Sequence, residues 1–209
     1  MIRGVIFDID GTLIDSMSFW DDLGARYLMS IGVEPEADLG QVLFTMSLEQ
    51  GAAYMKEHYA LSSSEEEIRA GVLGVIDHFY RKEVPLKPGM REIVEDYHRR
   101  SIPMTLATTS DKELVTAALT RLGLFGYFDR LYTATELKTN KQEPRIYQEA
   151  ARSMGTSPEE TAVYEDVLHA IKTAHDAGFY TIAVYDAASD KDWEAIQQLA
   201  DECVDRRPL

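Results

Sequence analysis

Apolar and polar positions alternate along this chain in two different rhythms. The first is set by Ile2 to Phe7, a short, largely apolar and β-branched run closed by Asp8-Ile9-Asp10-Gly11-Thr12. Such a run predicts a strand buried on both faces of a parallel sheet. The same pattern returns over residues 103–108, 161–164 and 180–184, and in a short last strand at Glu202-Cys203-Val204, where Cys203 is expected to be a small buried residue. Between these strands the apolar positions take helical spacing. Met90, Ile93, Val94 and Tyr97 form one stripe, and Leu114, Val115, Ala118, Leu119 and Leu122 a second that stops at Gly123. Ile146, Tyr147, Ala150, Ala151 and Met154 form a third, closed by Gly155, and Ile171 and Ala174 a fourth before Gly178. Strands alternating with helices imply right-handed crossovers and an α/β, doubly wound parallel sheet.

The second rhythm is helical throughout. Phe19, Trp20, Leu23, Tyr27 and Ile31 share a face that ends at Gly32. Tyr54, Met55, His58 and Tyr59 suggest another helix, and Ile68, Val72, Val75, Ile76 and Phe79 a longer one. Ser62-Ser63-Ser64-Glu65-Glu66-Glu67 reads as a serine cap followed by carboxylates that complement the helix dipole. Asp15-Ser16 is expected to cap the first helix of this block. A helical block of about 70 residues inserted after the first strand predicts its own small domain. The expected division is therefore 1–14 and 88–209 for the α/β core and 15–87 for the helical insert, with Pro85 and Pro88-Gly89 marking the return.

Composition narrows the possibilities. With 209 residues, 45% hydrophobic and 27% charged, the chain has ordinary globular usage. No apolar run approaches the roughly 20 residues of a membrane span. The opening run meets Asp8 too soon for a secretory core, which leads to the expectation of a cytoplasmic protein. Cys203 is the single cysteine, so an intramolecular disulfide or thiolate metal cluster is excluded. The net charge of −15, without a long basic run, disfavours a nucleic-acid surface. The five histidines show no metal-ligand spacing, and His169 and His175 are expected at the surface or in packing. Nothing in the chain points to an oligomeric state.

Candidate chemistry gathers where a doubly wound sheet binds ligands, at the carboxyl ends of its strands. Asp8 and Asp10 follow the first strand, Thr108, Thr109 and Ser110 the second, and Glu165 and Asp166 the third, while Lys141 belongs to the loop that opens the Ile146 helix. Clustered carboxylates repel unless a cation sits among them, and a few hard oxygen ligands suit Mg²⁺. A carboxylate is able to attack phosphorus and split one displacement into two easier ones. Asp8 fits as nucleophile, and Asp10, two residues along, as acid and base. Thr108 and Thr109 are candidate phosphate-binding residues, and Lys141 would offset charge on the nucleophile and the transferring group. Glu165 is expected to order metal-bound water rather than to bind the ion itself.

Phe7-Asp8-Ile9-Asp10-Gly11-Thr12-Leu13 resembles the first motif of the haloacid dehalogenase-like (HAD) superfamily. Leu106-Ala107-Thr108-Thr109-Ser110, Lys141 with Pro144, and Tyr164-Glu165-Asp166 resemble its second, third and fourth motifs, in order. The helical insert after the first motif is similar to the helical-cap (C1) subfamily that includes β-phosphoglucomutase-like phosphatases. The resemblance implies a Rossmann-like HAD core with an inserted all-helical cap domain. It implies catalysis by Asp8, Asp10 and Lys141, and Mg²⁺ held by the Asp8 side chain, the Asp10 backbone carbonyl and Asp166. The chain departs from the family pattern at Gln142-Glu143 and at Val167-Leu168-His169-Ala170.

The expected activity is Mg²⁺-dependent hydrolysis of a small phosphomonoester, a sugar phosphate being one candidate, through an aspartyl-phosphate on Asp8. Trp20 and Met46 are candidate substrate contacts from the cap. A β-phosphoglucomutase-like phosphomutase is the alternative within the family. The mutase's cap histidine corresponds to Trp20, and its cap arginine has no evident counterpart near Thr45-Met46-Ser47-Leu48, which favours the hydrolase. From another class comes a phospho-acceptor signalling switch. Such switches place the phosphorylated Asp two strands later and lack a helical insert, so position disfavours it. A binding protein that kept the fold and lost turnover is disfavoured by the intact Asp8 and Asp10. The linkers near Leu13 to Ser16 and Pro85 to Pro88 are expected to let the insert open and close over the sheet.

Overall fold

A computed structural model describes residues 1–206, so the last three positions of the expected 88–209 segment lie outside the described residues. In chain order the elements are β1 (Gly4–Phe7), α1 (Met17–Ser30), α2 (Leu39–Leu43), α3 (Leu48–His58), α4 (Glu65–His78) and α5 (Met90–Arg99). Then come β2 (Met104–Thr108), α6 (Lys112–Arg121), β3 (Arg130–Thr133), α7 (Ala134–Leu137) and α8 (Arg145–Met154). The chain ends with β4 (Thr161–Glu165), α9 (Leu168–Asp176), β5 (Tyr180–Val184), α10 (Trp193–Leu199) and β6 (Glu202–Val204). Two compact units result: Met1–Met17 with Val84–Leu209, and Ser18–Glu83.

The first unit is an α/β fold built on a six-stranded sheet in the order β3-β2-β1-β4-β5-β6, with every neighbouring pair parallel. That order reverses between β1 and β4, which makes their carboxyl ends the switch point where such sheets open a crevice for ligands. β1, β2 and β4 are buried at every position, as their unbroken apolar runs require. Phe7 stacks on Tyr164 at 4.5 Å and meets Phe128 edge-on at 5.8 Å, fixing β1 against β4 just before the first carboxylate. Behind the sheet, α8 packs Ile146, Tyr147, Ala150 and Ala151 against Ile6, Ala107 and Val163.

Two features of this unit differ from expectation. β3 carries Arg130-Leu131-Tyr132-Thr133 and is mostly exposed or half-buried, so it lacks the apolar signature of an inner strand. It is an edge strand, and mixed polarity is what an edge tolerates. Cys203 is exposed rather than buried. Its strand, β6, is three residues long and pairs only with β5, so nothing in the sheet covers its outer side.

The second unit is helical, with no strand among its described residues. Its core joins Tyr27 and Leu28 of α1 with Leu39, Ala52, Met55, Ile68 and Val72. Ser47 and Ser64 open α3 and α4 with reciprocal capping boxes to Gln50 and Glu67, as the serine-then-glutamate pattern predicts for α4. Phe19 stacks on Phe79 at 3.8 Å, and the Arg26 guanidinium lies over both rings while bonding Glu83 at 2.9 Å.

Candidate active site

Asp8 is the first residue past β1, and its N–H donates to the Tyr164 carbonyl at 3.0 Å, which carries the β1–β4 ladder one step beyond the strand. That step sets its side chain beside Glu165 and Asp166 at the end of β4. Oxygens of Asp8, Glu165 and Asp166 all lie within 4.8 Å of one another, and all three side chains are buried. Lys141 is buried with them and is ion-paired to both Asp8 Oδ1 and Glu165 Oε1. The four residues come from three segments, and they are four of the residues that the strand-end reading grouped.

Three negative charges against one positive leave the cluster strained. Burial pushes the Asp8 carboxyl up to about 7, against the pull of Lys141 and with help from Glu165. Burial, reinforced by Asp8 and Glu165, likewise raises Asp166 well above the usual carboxylate range. Burial alone would lower the Lys141 ammonium, but the two carboxylates that it touches outweigh that and hold it above its ordinary value. Lys141 is therefore a fixed cation across the physiological range.

Two buried oxygens of the cluster, Glu165 Oε2 and Asp166 Oδ2, have no hydrogen-bond partner among the described residues. Unpartnered buried carboxylate oxygens are costly, and a hard divalent cation is the kind of group that satisfies them. Asp166 is held in place from its other side. Thr12 Oγ1 donates to Asp166 Oδ1 at 3.2 Å, and a Cβ on Gly11 would collide with Asp166 Oδ2. Gly11 also sits at φ +84, so a glycine there serves both the turn and the close approach. The donor set fits a divalent cation.

Asp10 lies just outside this triad. Ser16 Oγ donates to its Oδ1 at 2.7 Å and Ser110 Oγ to its Oδ2 at 2.6 Å, so hydroxyls from two segments orient the carboxylate. Ser16, expected as a helix cap, thus serves Asp10. The turn that carries Asp10 is compact, with the N–H groups of Leu13 and Ile14 both donating to the Ile9 carbonyl at 2.9 Å. Thr108 is buried at the end of β2 and its Oγ1 accepts from the Ser110 N–H at 3.0 Å, an arrangement that leaves the hydroxyl proton to donate elsewhere. Thr109 is exposed at the same strand end. Trp20 and Met46 belong to the helical unit, where Trp20 is 40% exposed and Met46 half-buried. His169 and His175 are exposed on α9.

Sequence reasoning missed Tyr147. Its ring lies in the apolar stripe of α8, but its hydroxyl donates to Glu165 Oε1 at 2.8 Å, the oxygen that also takes Lys141 at 2.5 Å. Only a tyrosine rather than a phenylalanine at that core position hinted at it. Oε1 is thus doubly engaged, while Oε2 has no hydrogen-bond partner among the described residues. Tyr147→Phe removes one bond to a buried charged group, and the fold is expected to lose about 1.5–3 kcal/mol, measured by urea denaturation. An unchanged midpoint would contradict this assignment of the hydroxyl.

A family model described as haloacid dehalogenase-like hydrolase matches residues 5–184. The phosphorylated carbohydrates phosphatase of Thermotoga maritima is 26% identical over 181 residues, which cover 87% of this chain and 84% of that protein. Hexitol phosphatase B of Escherichia coli K12 is 27% identical over 186 residues, covering 88% and 83%. Among solved structures, a Thermotoga maritima protein provisionally designated a β-phosphoglucomutase superposes with a TM-score of 0.84 at 25% identity, covering 97% of this chain and 94% of its own.

Proposed function

Since the chain belongs to the haloacid dehalogenase-like hydrolases and is a phosphoric monoester hydrolase, we propose that it hydrolyses a small phosphorylated carbohydrate with Mg²⁺ and with Asp8 as nucleophile. The observation that carries this reading is the buried triad Asp8, Glu165 and Asp166 around Lys141 at the switch point of the sheet.

Asp8 and Asp166 would hold the ion, with the Asp10 backbone carbonyl beside them. When bound, Mg²⁺ supplies the positive charge that lets the carboxylates stay ionised together and that offsets charge on the phosphoryl group. The chain's own residues do the rest. An Asp8 carboxylate oxygen attacks phosphorus as the bond to the ester oxygen breaks, and the Asp10 carboxylic acid gives its proton to the departing alkoxide. Water then attacks the aspartyl-phosphate, Asp10 takes the proton of that water, and Asp8 is regenerated. The Thr108 hydroxyl and the Lys141 ammonium bind the phosphoryl oxygens, where their charge and dipoles are already in place. Thr109, exposed beside Thr108, offers a further hydroxyl.

Hydrolysis is favoured over mutase chemistry by the helical unit's cations. Arg26, His58, Arg69, His78 and Arg81, five of that unit's seven Lys, Arg and His residues, are each paired with a carboxylate there, and Trp20 is neutral, which leaves few cations for a second phosphate. Among the described residues no helix is long and apolar enough to cross a membrane, and the single cysteine supports a cytoplasmic setting. The test is phosphate release from a panel of hexose, hexitol and smaller sugar phosphates with Mg²⁺. Release that needs no added bisphosphate supports the hydrolase; turnover that requires one supports the mutase.

The raised carboxyls make a second test. Between about pH 4 and 7 the native Asp8 keeps a proton that the unfolded chain has already released, so the native state binds more protons. Stability of the metal-free protein is therefore expected to fall as pH rises through that window. Cation binding displaces those protons, so Mg²⁺ is expected to raise the thermal midpoint more at pH 8 than at pH 5. Equal shifts at the two pH values, or none, would contradict the ion site.

A further inference from the structure

Lys87 and Asp186 form a second buried ion pair, outside the catalytic cluster and unused by the mechanism. Lys87 Nζ bonds Asp186 Oδ2 at 2.7 Å and the Tyr185 carbonyl at 2.7 Å, and both charged side chains are at least nine-tenths buried. Asp186 is further fixed by the Ala188 N–H, which donates to its Oδ1 at 2.8 Å. A buried pair of this kind is weak evidence for stability, because desolvation cancels much of the attraction. Its placement suggests another use. The Lys87 N–H donates to the Leu13 carbonyl at 2.9 Å, and its neighbours continue the contact through the Ile14–Leu86 bridge and the Asp15 N–H on the Pro85 carbonyl. Leu13 and Ile14 close the turn that begins at Ile9 and presents Asp10. Asp186 follows the end of β5, next to β4 and Asp166.

We propose that Lys87 is a positioning residue for Asp10: its side chain is moored at the end of β5 while its backbone holds the turn from Ile9 to Ile14. Asp186 is the mooring, and its charge requires the Lys87 ammonium, since an unpaired carboxylate there would stand beside the acids of the cluster. This inference rests on the phosphatase reading, in which Asp10 protonates the leaving group. Losing the mooring lets the turn drift, and a drift of about 1 Å in a proton donor costs up to a hundredfold in rate. In the phosphoryl-transfer step, which kcat/KM reports, the cost falls only on esters whose leaving group needs that proton; hydrolysis of the aspartyl-phosphate is common to both kinds of ester.

Lys87→Met is compared with the unaltered protein on a hexitol phosphate, whose alkoxide needs protonation, and on p-nitrophenyl phosphate, whose phenolate leaves without it. Thermal midpoints are measured on the metal-free proteins. The expected result is a kcat/KM loss of about tenfold or more on the alkyl ester, a kcat/KM loss below about threefold on the aryl ester, and a lowered midpoint. Asp186→Asn, which keeps the shape and much of the hydrogen bonding, is expected to show the same selectivity at smaller amplitude and serves if Lys87→Met does not fold. Equal losses on both esters, or a lowered midpoint with both rates intact, overturn the inference and leave the phosphatase reading standing. Failure of the unaltered protein on both esters overturns the two together.

Discussion

Asp8→Asn is expected to lower phosphate release by at least about 10⁴-fold at saturating Mg²⁺, the scale on which enzymes lose rate when a nucleophile is removed. The amide keeps the shape of the side chain and its place beside Lys141, but its oxygen is a poor nucleophile toward phosphorus. Thr108 and Lys141 remain, so the variant is expected still to bind substrate, which calorimetric titration would show. A variant within tenfold of the original rate would mean that a different group attacks. The binding readout matters because it separates lost chemistry from a lost site.

Lys141→Met is expected to damage both the fold and the reaction. In the native site one ammonium serves two buried carboxylates, Asp8 and Glu165, with Asp166 close by. Removing one partner of a buried ionic group typically costs about 3–5 kcal/mol, because the charges left behind are uncompensated. The metal-free variant is therefore expected to unfold at lower urea, with Mg²⁺ recovering part of the loss by supplying a substitute charge. Its kcat is expected to fall by about 10²- to 10³-fold even when folded, the usual consequence of deleting a preorganised charge that faces the transition state. A variant with unaltered urea midpoint and rate would contradict the role given to this lysine.

Much of the site was legible because the chemistry sits where two simple patterns meet. Asp8, Glu165 and Asp166 each follow an apolar run that has to be a buried strand, and a buried sheet leaves only its strand ends for polar work. Lys141 was readable as the cation at the mouth of a helical stripe. The unread parts share a different cause, since each depends on a contact between residues distant in sequence. Tyr147 looks like core because its ring is core, and only folding brings its hydroxyl to Glu165, 18 positions away. Ser16 reads as a cap because it precedes α1, but the tight Gly11 turn folds it back on Asp10. Lys87 looks like part of a linker, and its partner Asp186 lies nearly a hundred positions on. β3 escaped for the opposite reason: sheet edges need no apolar signature, so the pattern that finds inner strands is silent there. The last strand was legible, and only the burial of Cys203 was misjudged, because the pattern does not say that a strand lies at an edge.

The most direct measurement is to mix the protein with Mg²⁺ and a sugar phosphate labelled on phosphorus, quench in acid within the first turnover, and map the peptides by mass. The account predicts one phosphoryl group on the peptide that contains Asp8, present before steady state and missing from Asp8→Asn. Label on another residue, or steady phosphate release with no labelled protein at any time, would contradict it.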